Sequence, residues 1–478
     1  MTAASTSYEK FSMYTIISLL VIATVICKSE RDFHIETSRN RHIVIIGAGI
    51  GGTSCSYYLR KQYPNASITV LESTENVGGR IKTIKVFGKV IEVGAAAWAT
   101  SNRYLVELVK ELQIPVEVAG VNLQNVATVN KGSLISWDGY RSWDLIELLQ
   151  NNTLSTLKVA IELGAFLTRL ELNYLEFDLT DKPFLSIPDF LKTGSLTSYV
   201  SASGKDFFKG IRSDLKFAGM DPMIRHIYHQ QLDSTHAFSC LVTLTSAAET
   251  AYSVKGGNSK LPMALLSASG ATAQYQSIVT SLTQNTDKSY SVDYRTETGK
   301  TATVHADAVV IAAPLEWTGI EFINFKPTTR QPIRNWVNWF VTIVAATRVN
   351  PRHFGQNESW TEPEFILTTS NASTPWVSIQ YLDTAGMVNI YKIFSDVNMT
   401  TFLDEIFIGV VQVYDHFWPY TFPVMGPLTK DSQYQSIKLA NGLYNINTME
   451  SVVSAMEGSV ISGRNVAKMV TEYLTDLH

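Results

Sequence analysis

HIVIIGAGIGGTSCSYYLRKQY, residues 42–63, decides the fold of this chain. Its first five residues form a continuous apolar, β-branched run, the pattern of a strand buried on both faces of a parallel sheet. Gly47, Gly49, Gly51 and Gly52 follow at once, and TSCSYYLRKQY then reads as a helix with small residues in its first turn. A second buried strand, SITVL at residues 67–71, leads into Glu72, which lies 20 residues beyond Gly52. This is a βαβ unit with a G-x-G-x-x-G turn and an acidic residue at the dinucleotide-binding distance. Gly47 allows the tight turn, Gly49 lets backbone approach a pyrophosphate, and Gly52 lets the helix pack close to the strand. The helix N-terminus offers unpaired N–H groups and a partial positive charge to phosphate. Glu72 can accept hydrogen bonds from a ribose diol and would repel a 2′-phosphate, which argues against NADP. A glycine turn without a ligand is the competing reading; the complete strand–turn–helix–strand–acid order favours a bound nucleotide.

Further along, Gly78-Gly79-Arg80 gives a second glycine pair and a guanidinium fork for phosphate. Glu92-Val-Gly94-Ala-Ala-Ala-Trp98 then offers small residues against which a flat ring could lie. Residues 100–180 read as helix-rich, with Leu105, Val106, Leu108, Val109 and Leu112 at helical spacing and a long apolar-periodic stretch over 156–177. Strand-like runs occupy 275–312 and end in AVVIA at 308–312. Residues 333–422 are rich in aromatic and β-branched residues and read as a sheet. A strand at 442–446 and a helix from about Met456 to Leu474 close the chain.

The composition excludes several classes. The 478 residues are 45% hydrophobic and 17% charged, which is globular rather than disordered or fibrous, and the net charge of −4 carries no basic stripe for nucleic acid. Three cysteines, Cys27, Cys55 and Cys240, cannot build a disulfide framework or a four-thiolate metal site. Phe11–Cys27 is an uncharged apolar stretch of the kind found in a signal peptide, the alternative being an uncleaved signal anchor. Either predicts the secretory pathway, lysosome or extracellular space. The five glycosylation sequons, at Asn65, Asn151, Asn357, Asn371 and Asn398, are as many as composition predicts by chance, so they add nothing to that expectation.

The order GAGIGG, Glu72, VGGR, EVGA, ADAVVIAAP and SAMEGSVISGRNVA resembles the flavin amine oxidase superfamily. Within it, VKGGNSKLPMALL (254–266), PLEWTGIEFINF (314–325) and NTMESVVSAMEGSVISGRN (447–465) look most like the prenylcysteine oxidase (prenylcysteine lyase) family. The resemblance runs from about residue 42 to the C-terminus. It implies a mixed α/β fold: a Rossmann-like FAD-binding domain with an inserted substrate domain of sheet plus helices. Its segments would be 1–30, signal peptide or anchor; 40–100, 251–320 and 436–478, FAD-binding; 101–250, mainly helical substrate-domain segment; and 321–435, substrate-domain sheet.

The resemblance also implies an FAD-dependent thioether oxidase. Such an enzyme cleaves farnesyl- or geranylgeranyl-cysteine with oxygen to cysteine, a prenyl aldehyde and hydrogen peroxide, by hydride transfer from prenyl C1 to flavin N5. The partners implied are a small apolar prenyl substrate and molecular oxygen, with peripheral membrane or lipoprotein association as a further expectation and the oligomeric state open. Carried over, Gly47, Gly49 and Gly52 would face the FAD pyrophosphate and Glu72 the adenosine ribose. Gly79 and Arg80 would lie along the pyrophosphate, Gly94 near the isoalloxazine and Val279 against adenine. Met456 would open a helix whose N-terminus points at the flavin. Ala455 stands where amine oxidases commonly carry an aromatic cage residue.

The chain departs from the family at Ile-Tyr228-His229-Gln-Gln231, where the family tends to read Asn-Tyr-Gly-Gln; this bears on substrate identity. No metal site is expected. His226, His229 and His236 cluster loosely, and packing is the simpler role for each; His229 is the candidate catalytic residue, as a water activator. The aromatic runs at 336–340 and 417–422 are core packing or the wall of a prenyl channel. Arg225 and Arg348 are candidates to hold the substrate carboxylate. Two other readings remain: a related oxidase of another apolar substrate, such as a prenyl alcohol, and a secreted flavin- or lipid-binding protein without turnover.

Overall fold

A computed structural model describes residues 41–119, 126–131, 133–135, 153–327 and 331–477. The apolar N-terminal stretch lies outside them. All elements below belong to the unit His42–His478.

HIVII forms the strand His42–Ile46, whose last four residues are buried. Its side chains alternate between two cores. Ile43 and Ile45 face a helical layer, while Val44 and Ile46 face a second sheet. Burial on both faces is why the run is apolar throughout rather than alternating, and each such side chain contributes roughly 1.5–3 kcal/mol relative to exposure. The helix Ile50–Gln62 and the strand Ser67–Leu71 complete the expected parallel unit.

The strand order of the first sheet is Thr272–Gln274, Ser67–Leu71, His42–Ile46, Ala308–Ile311, Leu443–Asn445 and Lys438–Ala440. The first five are parallel and the last is antiparallel. One face carries Ile50–Gln62, packed between Lys260–Ser269 and the final helix Met456–Asp476. The other face carries a four-stranded sheet in the order Thr301–Ala306, Tyr290–Arg295, Ile278–Gln284 and Glu321–Ile323.

A seven-stranded sheet makes the second half. Its order is Gln412–Pro423, Trp336–Ala346, Val388–Ser395, Trp376–Ala385, Phe365–Thr368, Val126–Asn130 and Ser133–Ile135. The last two strands differ from the sequence reading, which took residues 101–250 as mainly helical. They are short, and Val126–Asn130 pairs with a strand more than two hundred residues away, so no local pattern announces them. Val116–Val118 is a third strand in that stretch, paired with Ala251–Val254. The helices expected there are present, the longest being Thr153–Thr180.

Candidate active site

The site begins at the glycine turn. Gly47 has φ +108° and its N–H donates to the Leu71 carbonyl at 2.8 Å; a Cβ there would sit 2.8 Å from the Ala312 carbonyl oxygen. A Cβ on Gly52 would sit 2.1 Å from the Gly47 carbonyl oxygen, so helix and turn touch only because residue 52 is glycine. Gly49 is different. It precedes the helix with no side-chain cap, and a Cβ there would meet nothing nearer than 4.0 Å. That opening lies beside Gly78 and Gly79, whose backbone bridges to Gly49. Two glycine turns thus flank an uncapped helix N-terminus without an acidic residue in its first turn, a fitting cradle for a diphosphate.

Glu72 is buried behind this turn. One carboxylate oxygen accepts from the Ala48 N–H at 2.7 Å and the other from the Thr74 N–H at 2.9 Å. The second oxygen also accepts from the Thr74 hydroxyl at 2.8 Å and the Ser73 hydroxyl at 3.3 Å, whereas the first has the Ala48 N–H and keeps a lone pair for a ribose. The Glu72 carbonyl accepts from the Ser277 N–H at 2.8 Å, which brings the strand bearing Val279 alongside the same loop; Val279 itself is buried.

Arg80 is held by protein groups. Its guanidinium donates to the Thr421 carbonyl at 2.9 Å and forms an ion pair with buried Glu450. A buried carboxylate requires a cation, which accounts for this placement. Gly94 packs on the Arg80 backbone, where a Cβ would lie 2.0 Å from the carbonyl oxygen. Arg80 and Arg334 flank the Trp336 ring, at 5.9 and 5.0 Å, and Arg334 pairs with Glu316 in a second buried bridge.

Sequence reasoning missed what lies next to Glu450. The short helix Asn447–Ser451 is buried, yet Asn447 Oδ1, Thr448 Oγ1, Glu450 Oε2 and Ser451 Oγ have no hydrogen-bond partner, nor has Trp336 Nε1. Buried polar atoms are nearly always paired, so several orphans around one ion pair mark the place of a polar-edged ligand. The helix Met456–Asp476 starts after four intervening residues, with Ala455 at its N-cap and no side-chain cap. Met456 is buried at that entrance. Glycine cradle, orphaned atoms and open helix N-terminus together fit a flavin nucleotide. The sequence signal was the family-like stretch NTMESVVSAMEGSVISGRN, which marked the segment but not which of its polar atoms would stand unpaired.

Glu457 has another partner set. It accepts from the Tyr104 and Leu105 N–H groups at 2.8 and 2.9 Å and from the Tyr174 hydroxyl at 2.9 Å, capping the helix Arg103–Glu111. Burial pushes its carboxyl up to about 7.

The two aromatic runs share one ladder. Trp339 pairs with Trp418, Phe340 with Phe417 and Val337 with Phe422. Trp418 Nε1–H donates to the Val93 carbonyl at 2.8 Å, tying this wall to the Glu92–Gly94 segment. Phe394 and Phe422 lie 4.3 and 5.5 Å from Trp339, ring to ring. Lys392, whose ammonium sits 5.3 Å over the Phe394 ring, donates to the Glu92 carbonyl, and burial lowers it to about 8.

The three histidines separate. His226 is packed with Nδ1 2.9 Å from the Ser378 hydroxyl, and burial lowers it to about 3. His236 caps the helix Ala237–Ala248, its Nε2 3.1 Å from the Ser451 carbonyl oxygen, and burial lowers it to about 4. His229 ends the helix Asp221–Tyr228 in a left-handed conformation, φ 56°, with Nε2 against Asp396. Arg225 donates to the Thr368 carbonyl and hydroxyl, and Arg348 to the carbonyls of Val349, Glu358 and Trp360. Neither presents a free fork to a carboxylate. Burial raises the thiols of Cys55 and Cys240, which are packing residues.

The family model described as prenylcysteine lyase matches residues 139–477, and that of an NAD(P)-binding Rossmann-like domain matches 45–112. Prenylcysteine oxidase 1 of Mus musculus is 28% identical over 471 residues, covering 89% of this chain and 88% of its own. Farnesylcysteine lyase of Arabidopsis thaliana is 24% identical over 477 residues, covering 93% and 91%. Among solved structures, cyclohexylamine oxidase from Brevibacterium oxydans aligns with TM-score 0.60 and 15% identity over 91% of this chain and all (100%) of that one. Putrescine oxidase bound to putrescine aligns with TM-score 0.59 and 14% identity over 90% and 99%. At such identities these two likenesses establish the fold, that of the flavin amine oxidases. The chain belongs to the prenylcysteine lyase family and is a flavin-dependent oxidoreductase.

Proposed function

We propose that the chain uses FAD and oxygen to cleave prenylcysteine to free cysteine, a prenyl aldehyde and hydrogen peroxide. The observation that carries this is the adjacency of an aromatic ladder to the flavin cradle, through Trp418 and Val93, in a chain of this family. FAD, when bound, supplies the acceptor for a hydride leaving prenyl C1.

The residues of the chain bind, orient and exclude water. The turns at Gly47–Gly52 and Gly78–Gly79 receive the diphosphate, and Glu72 the adenosine ribose. Thr448, Glu450 and Ser451 meet the polar edge of the cofactor with the atoms they leave unpaired. The open N-terminus of Met456–Asp476 favours negative charge there. Trp339, Phe394 and Phe422 keep the isoprenoid side dry. No side chain has to remove a proton from carbon, because C1 is allylic and next to sulfur and the cation left behind is delocalised over both. Water then adds to C1, and the hemithioacetal collapses to aldehyde and thiol.

The test is anaerobic mixing of purified holoenzyme with S-farnesyl-L-cysteine. Loss of flavin absorbance together with release of one thiol per flavin is expected. Bleaching by farnesol and not by the thioether would overturn the proposal in favour of an alcohol oxidase. By the same proposal, Phe11–Cys27 directs the chain into the secretory pathway; cytosolic recovery of an intact, tagged chain would overturn that part.

A further inference from the structure

The helix Thr153–Thr180 has two apolar faces. One belongs to the core, where Leu163, Phe166, Tyr174 and Phe177 are buried. The other faces outward. Leu154, Leu157, Ile161, Leu172, Leu175 and Leu179 form a row there, between 38% and 77% exposed. Ala165 and Thr168 fill the row between Ile161 and Leu172. Its spacing stays close to 3.6 residues per turn, so the row runs straight along the helix instead of winding round it. Single exposed leucines are ordinary on a protein surface; a continuous row of this length marks an interaction site. The helix has 28 residues, so it is about 42 Å long, and a row about 10 Å wide gives a patch of roughly 400 Å².

The sizes along the row select the partner. The ends are large and the middle is small. A Cβ on exposed Gly164 would meet no atom within 4 Å, and Thr168 donates its hydroxyl to the Gly164 carbonyl at 2.8 Å, so its polar group is satisfied. Two straight helices that cross come closest at one point and diverge from it. Small residues at the crossing and large ones outward fill the space between them. A flat lipid surface gives no reason for such a taper. The order also mirrors itself about the bond between Phe166 and Leu167: Leu154 corresponds to Leu179, Leu157 nearly to Leu175, Ile161 to Leu172 and Ala165 to Thr168. A two-fold axis through that point lays the row of one copy antiparallel on the same row of another, the isologous arrangement of most homodimers.

Charge agrees with shape. Lys158 and Glu176 stand five turns apart on the same flank of the row, about 27 Å along the helix, too far to meet within one chain. Among the described residues neither has an ion-pair partner. In an antiparallel pair like flanks face each other, so Lys158 of each copy meets Glu176 of the other. Glu171, on the opposite flank, is already paired with Arg103. The helix carries Glu162, Glu171, Glu176 and Asp178 against Lys158 and Arg169, the reverse of the basic polar face by which surface helices hold anionic lipid.

We propose that a second copy of this chain docks on this row, the two Thr153–Thr180 helices crossing antiparallel near Gly164–Thr168. Two such patches bury roughly 800 Å² in total, below the standard interface, which places the pair among weak, reversible ones with Kd in the micromolar range. The inner face of the same helix holds Glu457 through the Tyr174 hydroxyl at 2.9 Å, so the interface stands one layer from the start of the last helix. The proposal is independent of the substrate reading above.

Sedimentation velocity of the purified, flavin-bound chain tests it. The native chain should pass from one copy to two as concentration rises from about 1 to 100 µM. Ile161→Asp with Leu172→Asp should stay monomeric throughout, with an unchanged Tm because both side chains are exposed. Lys158→Glu and Glu176→Lys each bring like charges together twice and should each weaken the dimer about five-fold. The double variant Lys158→Glu/Glu176→Lys should return to within about two-fold of the native Kd, a rescue that only self-association through this flank produces. Four outcomes would overturn the proposal: a native chain monomeric at every concentration; a dimer unmoved by Ile161→Asp/Leu172→Asp; a double charge swap that fails to restore association; and a monomer that floats with phosphatidylcholine vesicles unless Ile161 and Leu172 are changed, which assigns the row to lipid.

Discussion

Gly49 and Gly52 sit three residues apart in one turn and are glycine for different reasons. A methyl group at 52 would collide with the Gly47 carbonyl oxygen at 2.1 Å, while one at 49 would meet only the Gly78 carbonyl oxygen and Gly79 Cα, at an ordinary contact distance of 4.0 Å. Gly52→Ala should therefore destabilise the apoprotein by about 1–3 kcal/mol, the usual cost of overpacking, and lower its Tm. Gly49→Ala should leave the apoprotein Tm unchanged and weaken flavin retention, measured as absorbance surviving gel filtration. Glu457 gives a pH prediction. Its carboxyl holds a proton up to about 7 in the fold, against an ordinary value of 4.5. The folded state thus binds that proton more tightly than the unfolded chain, so its contribution is complete below about 4.5 and is lost as pH rises to about 7. Glu457→Gln should flatten the stability curve across that window, as read by denaturant midpoints at several pH values. The glycines were legible because their role is set by a local motif. Glu450 was not, because its meaning depends on Arg80, 370 residues away.

Among elements, the final helix departs most from ordinary design. Its first residue follows Ala455, which offers no oxygen to the free N–H groups. Helix starts usually take Ser, Thr, Asp or Asn here, for about 1 kcal/mol of stability. An uncapped, buried start is useful if the ligand completes it. Ala455→Asp should raise the Tm of the apoprotein and lower the reduction potential of the bound flavin, because a fixed carboxylate then opposes added electrons. A raised potential in a redox titration would contradict this. The sequence made this helix plain through its length and periodicity. It left two strands of the seven-stranded sheet invisible: Val126–Asn130 is short and pairs with distant Phe365–Thr368, and the edge strand Ser133–Ile135 is shorter still and pairs with Val126–Asn130. The aromatic runs were visible as composition, but nothing local announced that Trp339 would face Trp418.

At the scale of the molecule, the parallel sheet is assembled from widely separated segments, with Leu443–Asn445 pairing beside Ala308–Ile311. During synthesis the fully apolar strand Ala308–Ile311 leaves the ribosome well before the strand that covers its open edge. The growing chain therefore carries an unpaired hydrophobic edge through more than a hundred residues of translation, the condition that favours wrong partners and calls for chaperones. The last helix, whose start completes the flavin site, arrives later still. A nascent chain arrested before residue 443 therefore holds both glycine turns and Glu72 but lacks Asn447–Ser451 and the start of the last helix, and should retain flavin less well than the finished polypeptide.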